Sequence, residues 1–353
     1  MGNQFRGLID TLRSRSVEAC RELCGGVAEG YRWGFVRPLA DIVESFQHLD
    51  QRGYVRFEPS AAELAMRRVS DPLVRLGKGI GWTYRARSPG GGFSVYKPGY
   101  LEDMSDGNAP IPLRYGIPFG AGHLAYREQA AYRVDEALGF GRVPPTTVAD
   151  GPYGLGSNQI WVHSGPAHPV TLVEDLSPEQ RATLEIKAGL RHLITGYPRV
   201  QCEQMAVLDY VIGNTDRHLG NYRTGRHGEI VAIDHQLSFP ESPDPRIGIR
   251  SGFVKQFLDV ELSEEVMAQV RAVDLDRLRA ALLDSKISEK AVDGALARLV
   301  EIRTHGKITG AAWPGEFTGL RVPWHFTEPL PVGWIEKVRH MPEYENGVVE
   351  VSD

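Results

Sequence analysis

Apolar positions along this chain change their spacing several times, and each change marks an element. In the first 67 residues Ile9, Leu12, Val17, Leu23 and Val27 recur at loosely helical intervals, Phe35 to Phe46 continues the trend, and AAELAMRRV (Ala61 to Val69) predicts a short helix. From Asp71 the texture alters. DPLVRLGKGIGWTYRARSPGGGFSVYKP reads as strand, glycine-rich turn, strand, tight turn at Gly90 to Gly92, strand. His123 to Gly139 is then a helix with Leu124, Ala131, Val134 and Leu138 as its apolar stripe and Gly139 as its stop. FGRVPPTTVAD predicts a loop and strand, and Leu155 to Gly165 another strand, with Ile160 and Val162 on one side and Trp161 on the other.

Helical spacing returns from Pro178 towards Tyr197 and from Val200 to Ile212. The apolar run ending at Ile212 feeds a polar cluster, and VAIDHQLSF (Val231 to Phe239) follows as a second apolar run. Beyond a proline-rich loop, helices are predicted within Ser263 to Ser285 and Ser288 to His305. The tail after Gly310 scatters Trp313, Trp324 and Trp334 among prolines and reads as an irregular extension; no internal repeat is present.

Composition narrows the class. The 353 residues are 42% hydrophobic and 24% charged, ordinary for a globular protein. A net charge of −5 argues against a broadly basic nucleic-acid surface. Three separated cysteines, Cys20, Cys24 and Cys202, make neither a disulfide framework nor a zinc set. No apolar run approaches the ~20 residues of a bilayer span. The N-terminus lacks a signal-peptide core, and Arg6 stands where a myristoylation motif needs Ser or Thr. These features predict a cytoplasmic protein without stable membrane association.

The chemistry concentrates in LDYVIGNTDRHLGN (Leu208 to Asn221) and Asp234. Asp216, then Asn221 five residues on, then Asp234 at a strand end, suits Mg-ATP: Asn221 and Asp234 can hold Mg²⁺ against phosphates, while Asp216 orients or deprotonates a hydroxyl. Gly77, Gly79 and Gly81 would let backbone N–H groups approach phosphate oxygens, although short glycine-rich hairpins are common. Lys97, at the end of an apolar strand, is either a snorkelling edge lysine or one aimed at the ATP α- and β-phosphates. A phosphate-binding lysine needs a carboxylate to hold it. Glu128, in the first turns of the following helix, is the candidate; the alternative is an acidic residue favoured by the helix N-terminus.

Together these pieces resemble the phosphatidylinositol 3-/4-kinase-like superfamily, in particular type II phosphatidylinositol 4-kinases and their bacterial relatives. The matching segments are Tyr96 to Pro98, Arg127 to Thr146, Gly156 to Val162, Val207 to Asn221 and Val231 to Pro240, in that order, across about half the chain. The resemblance implies an α+β, atypical bilobal kinase-like fold with a β-rich small lobe and a mostly helical large lobe. Between an N-terminal helical cap or arm (1–67) and a C-terminal extension (310–353), both read from spacing and composition, it implies a small lobe and hinge (68–163) and a large lobe (164–309). It makes Lys97 the ATP-phosphate ligand with Glu128 as partner. Gln159 to His163, with Trp161 and Val162 between them, become the hinge facing adenine. Asp216 becomes the catalytic aspartate, and Asn221 and Asp234 the metal ligands. His218 either stabilises developing phosphate charge or braces the loop, and Arg217 is read as a brace.

Two departures bear on substrate. The Pro98 to Gly122 segment has no cysteine, where type II lipid kinases carry a cysteine-rich palmitoylated insertion, and no basic amphipathic helix announces a membrane surface. The reading is therefore a Mg²⁺- and ATP-dependent kinase acting on a protein Ser or Thr, its own included. A phosphoinositide or small-molecule kinase and a non-catalytic nucleotide-binding scaffold are the alternatives. Loss of a catalytic residue would mark the scaffold, yet Lys97, Asp216, Asn221 and Asp234 are all present.

Overall fold

Alternation along FSVYKP builds the first sheet. In the computed structural model, which describes residues 57–76, 83–88, 91–99, 116–117, 122–183, 190, 192–241, 248–313, 315 and 317–318, Phe93–Pro98 forms strand β3. Ser94, Tyr96 and Pro98 are buried, and Phe93, Val95 and Lys97 turn to the other side. β3 lies at the centre of a five-stranded antiparallel sheet with β1 (Val74–Arg75), β2 (Tyr84–Arg87), β4 (Thr146–Gly151) and β5 (Gly154–Ile160), in the order β1-β2-β3-β5-β4. Tyr84, Ala86, Tyr96 and Ala149 form its apolar cluster with Val69. A one-residue slip would exchange Tyr96 for Lys97 on this face, so burial fixes the register. Gly156 on the neighbouring strand must be glycine: a Cβ there would stand 2.2 Å from the Lys97 carbonyl oxygen.

The chain divides into two units, Met1–Tyr54 and Val55–Asp353, and all described residues belong to the second. The predicted helices before residue 57, the Gly77, Gly79 and Gly81 turn, most of the Pro98 to Gly122 loop and the tail with Trp324 and Trp334 lie outside the described residues. The described part of the first region holds a short helix, α1 (Ala61–Ala65), opened by a capping box between Ser60 and Glu63. Residues following it join β4: Val69 N–H donates to the Asp150 carbonyl at 2.8 Å, and Asp150 N–H to that of Arg67 at 2.9 Å.

Helix α2 (His123–Leu138) ends at Gly139, whose φ of 66° closes the helix. It is followed along the chain by α3 (Pro178–Thr183), α4 (Arg199–Ile212), α5 (Gly252–Phe257), α6 (Glu264–Ala272), α7 (Leu275–Asp284) and α8 (Glu289–His305). Ala130, Ala131, Val134 and Leu138 of α2 belong to the same continuous apolar core as Val207, Leu208 and Val211 of α4, Leu278 and Leu282 of α7 and Val292 and Leu299 of α8. The fold is thus mixed α+β, an antiparallel sheet first and helices after.

Several predicted boundaries are corrected. The strand from Leu155 stops at Ile160, and 161–163 cross irregularly to β6 (Ser164–Gly165), which pairs with β9 (Tyr222–Gly225) in a different sheet beside β10 (Ile230–Ala232). The helix that begins at Pro178 does not run on to Tyr197. His192–Leu193 (β8) pairs with Thr171–Leu172 (β7), Leu193 packs on Leu176 and Leu190, and Ile194 N–H donates to Gln256. Tertiary pairing there overrides a helical period. Within Ser263 to Ser285 the helical stretch is divided in two, because Asp274 turns its carboxylate onto the Asp276 and Arg277 N–H groups and caps α7.

Candidate active site

β3, α2 and the segment after β10 each deliver one charged group to a common point. Lys97 Nζ lies 2.6 Å from Glu128 Oε1 and 3.0 Å from Asp234 Oδ1. Glu128 sits on the second turn of α2 and is almost fully buried, so it is no solvated acidic residue. Its other oxygen accepts the His235 N–H at 2.9 Å, and the wholly buried His235 ring lies against it, Nδ1 at 3.5 Å. Burial works against the charge on Lys97, but Asp234 and Glu128 outweigh it and raise the lysine above its ordinary value. Burial likewise works against ionised Glu128, yet Lys97 and His235 hold it well below the usual carboxylate range. His235 is pushed down, by burial first and by Arg217 second. Asp234 itself is 44% exposed and takes a left-handed backbone, φ 58°.

Asp216, His218 and Asn221 come from the loop after α4. That helix stops at Gly213, whose φ of 62° sends its N–H back to the last turn. Asn221 Nδ2 donates to the Asp216 carbonyl at 2.8 Å, which leaves Oδ1 as the amide's acceptor. His218 Nδ1 accepts the Gly220 N–H at 3.0 Å and caps the short 3₁₀ turn Leu219–Asn221, while its Nε2 lies 3.9 Å from Asp216 Oδ2. The bracing half of the two readings of His218 thus has a hydrogen bond behind it. The loop joins the Asp234 segment through the Ile233 N–H, which donates to the Asn221 carbonyl at 3.0 Å.

Arg217 is the clamp. Its guanidinium is buried against Asp209 on α4, with Nη2 3.0 Å from Oδ1, and Nη1 donates both to the Asn221 carbonyl and to that of Ile233 at 2.8 Å. Asp209 also accepts from Asn214 Nδ2 at 3.0 Å and Ser251 Oγ at 2.7 Å. The sequence does signal Asp209: a carboxylate inside the apolar run LDYVIG is buried, and a buried carboxylate needs a cation. Arg127, fully buried and without such a signal, donates Nε to the Ser238 carbonyl at 3.0 Å and ties α2 to the chain beyond Asp234.

The hinge candidates are partly buried where the chain leaves the first sheet. Gln159 Nε2 donates to Thr146 Oγ1 at 2.8 Å, Trp161 N–H to the Phe93 carbonyl at 3.0 Å, and the Val162 carbonyl accepts Ser164 Oγ at 3.2 Å, with His163 between. Among the described residues no group of three or more His, Cys, Asp or Glu side chains could hold a metal alone. Asn221 Oδ1 and the Asp234 carboxylate are oxygen donors of the kind a hard cation takes, and such a cation could complete its shell with phosphate oxygens and water.

Residues 185–250, which contain Asp216, Asn221 and Asp234, match the family Phosphatidylinositol 3- and 4-kinase; the chain carries a PI3/PI4-kinase family domain. It is 35% identical over 134 residues to Protein Rv2133c of Mycobacterium tuberculosis, covering 34% of this chain and 48% of that protein. It is distantly homologous to plant type II enzymes: Phosphatidylinositol 4-kinase gamma 5 of Arabidopsis thaliana is 28% identical over 194 residues, covering 50% of this chain and 30% of that protein. The chain therefore spans less than half the length of these relatives. Among solved structures, the Golgi casein kinase with Mn/ADP bound superposes with a TM-score of 0.41 at 16% identity, over 84% of this chain and 95% of that one. The Helicobacter pylori proinflammatory kinase CtkA gives 0.38 at 16% identity, over 68% and 93%. Both scores lie below 0.5. Among the described residues no helix is long and apolar enough to cross a membrane.

Proposed function

We propose that this chain is an ATP-dependent phosphotransferase acting on a hydroxyl, with a protein Ser or Thr as acceptor. The observation that carries the reading is Lys97 held between Glu128 and Asp234. Such a lysine is fixed in direction and permanently charged, as a phosphate ligand must be. Asn221 and Asp234 would hold Mg²⁺, which when bound neutralises phosphate charge. Asp216 would orient the acceptor hydroxyl and take its proton, while His218 keeps the loop in shape. Gln159, Trp161, Val162 and His163 would line the adenine side, and Gly77, Gly79 and Gly81 the phosphate side.

A phosphoinositide acceptor is the second reading, favoured by the likeness to the plant phosphatidylinositol 4-kinases. The protein acceptor is preferred on the acidic net charge and the absence of cysteine from Pro98 to Gly122. Incubation with γ-labelled and α-labelled ATP, offering phosphoinositide vesicles or a protein mixture, tests both. We expect γ label on protein, lost by at least ~100-fold in Asp216→Asn with nucleotide binding retained. Label from α-ATP would mean nucleotidyl transfer, label confined to lipid would move the acceptor, and full turnover of Asp216→Asn would remove Asp216 from the mechanism.

A further inference from the structure

Glu63 is wholly buried in α1, away from the groups assigned above, and its carboxylate is fully engaged. Oε1 accepts Arg133 Nε at 2.9 Å and Gln129 Nε2 at 3.4 Å, and Oε2 accepts the Ser60 N–H at 3.0 Å. Arg133 and Gln129 both belong to α2, the helix that carries Glu128. Gln129 also donates to Thr147 Oγ1 of β4 at 3.0 Å. Arg133 continues across the helix: Nη1 reaches the Ala281 carbonyl at 2.9 Å, Asp284 Oδ2 at 2.8 Å and Ser285 Oγ at 2.8 Å, all at the end of α7. Its guanidinium also lies over the Phe57 ring, 4.1 Å from the centroid.

A buried pair of this kind adds little net stability over apolar groups of the same shape, but breaking it strands a charge. Any swing of α2 away from Lys97 would pull Arg133 off Glu63 and Asp284 together, and would drag Ala130, Ala131 and Val134 out of the main core. We infer that Glu63 is a positioning residue: through Arg133 and Gln129 it fixes α2 in the setting where Glu128 meets Lys97, so that this pairing is built into the fold and not switched by helix movement. The inference rests on the phosphotransferase reading for what the pairing is used for.

The test is Glu63→Gln, which keeps the volume and replaces one of the two acceptor oxygens with a donor. Asp284→Asn, on the half-exposed partner of Arg133, is the milder companion should the first variant fail to fold. Two readouts are taken on the full chain: turnover with Mg-ATP, and hydrogen exchange of the α2 amides. We expect turnover to fall about tenfold in Glu63→Gln and less in Asp284→Asn, with faster exchange along His123–Leu138 and unchanged exchange in α4. In a Glu128→Gln background, Glu63→Gln should cause no further loss of turnover, because its effect runs through Glu128. Equal losses in both backgrounds, or α2 exchange unchanged in the variants, would overturn the assignment. Wild-type protein that transfers no phosphate would end the phosphotransferase reading instead, and exchange in α2 would still decide whether Glu63 holds the helix.

Discussion

Replacing Arg217 with alanine should cost the protein both stability and metal-dependent nucleotide affinity. The guanidinium is buried, and its removal leaves the Asp209 carboxylate in the core with, among the described residues, only Asn214 and Ser251 as side-chain donors. Breaking a buried ion pair from one side typically costs about 3–5 kcal/mol. The two remaining donors to Asp209 place the charge component near the bottom of that range. The Ile233 carbonyl loses its Nη1 donor as well, at about 1 kcal/mol, while the Asn221 carbonyl keeps the Ile233 N–H. A total of about 4 kcal/mol follows, equivalent to a fall in Tm of roughly 10 °C. The double variant Asp209→Ala/Arg217→Ala strands no charge and should be less destabilised than the sum of the single variants by about 2 kcal/mol. Urea unfolding of the wild type and the three variants measures both quantities. The same variants should bind Mg-ATP more weakly, since Arg217 joins the segments that carry Asn221 and Asp234. A loss below about 1 kcal/mol in Arg217→Ala, or additivity within about 0.5 kcal/mol in the cycle, would refute the clamp.

Asp234→Ala should weaken Mg-ATP binding at least about tenfold and leave metal-free ATP binding unchanged or tighter, because Lys97 then keeps only Glu128 as partner. Calorimetry with and without Mg²⁺ separates the cases, and equal losses in both would make Asp234 a structural residue. A pH effect is expected at Asp135, where burial outweighs the N–H groups of Val143 and Arg142 and pushes the carboxyl from 3.8 up to about 7. Between those values the folded state holds a proton that the unfolded state has released. Stability should therefore decline as pH rises from about 4 to about 7, by up to ~1.4 kcal/mol per unit, and level off above. Urea midpoints across that window should fall in the wild type and flatten in Asp135→Asn; a flat wild-type profile would contradict the shift.

The elements that sequence reading located best are those whose pattern is local. His123 to Gly139 carries its stripe and its glycine stop within one helix, and α2 ends at Leu138 with Gly139 as cap. The spacing of Asp216, Asn221 and Asp234 was visible because loop chemistry is written in consecutive residues. What was missed depends on partners distant in sequence. β8 exists because Thr171–Leu172 is there to pair with it, and Ile160 ends its strand because Ser164 belongs to another sheet. Glu63 and Arg133, 70 residues apart, carry no local signal of each other, and only the fold buries them together.

The left-handed backbone at Asp234, φ 58°, limits which side chains could serve there. Most L-residues meet a steric penalty of about 1–2 kcal/mol in that region, while Asp and Asn tolerate it through local hydrogen bonding. Glycine would relax the main chain and supply no oxygen. Glutamate offers the same oxygens to a cation, but lacks the short side chain that makes this backbone tolerable. Valine, isoleucine and threonine are the most strongly disfavoured, because their branched Cβ crowds the following carbonyl. On the proposed metal-binding role, the identity of this residue would be set twice, by ligand chemistry and by the backbone dihedral. The two criteria overlap only at aspartate and asparagine, and only aspartate also places a negative charge beside Lys97.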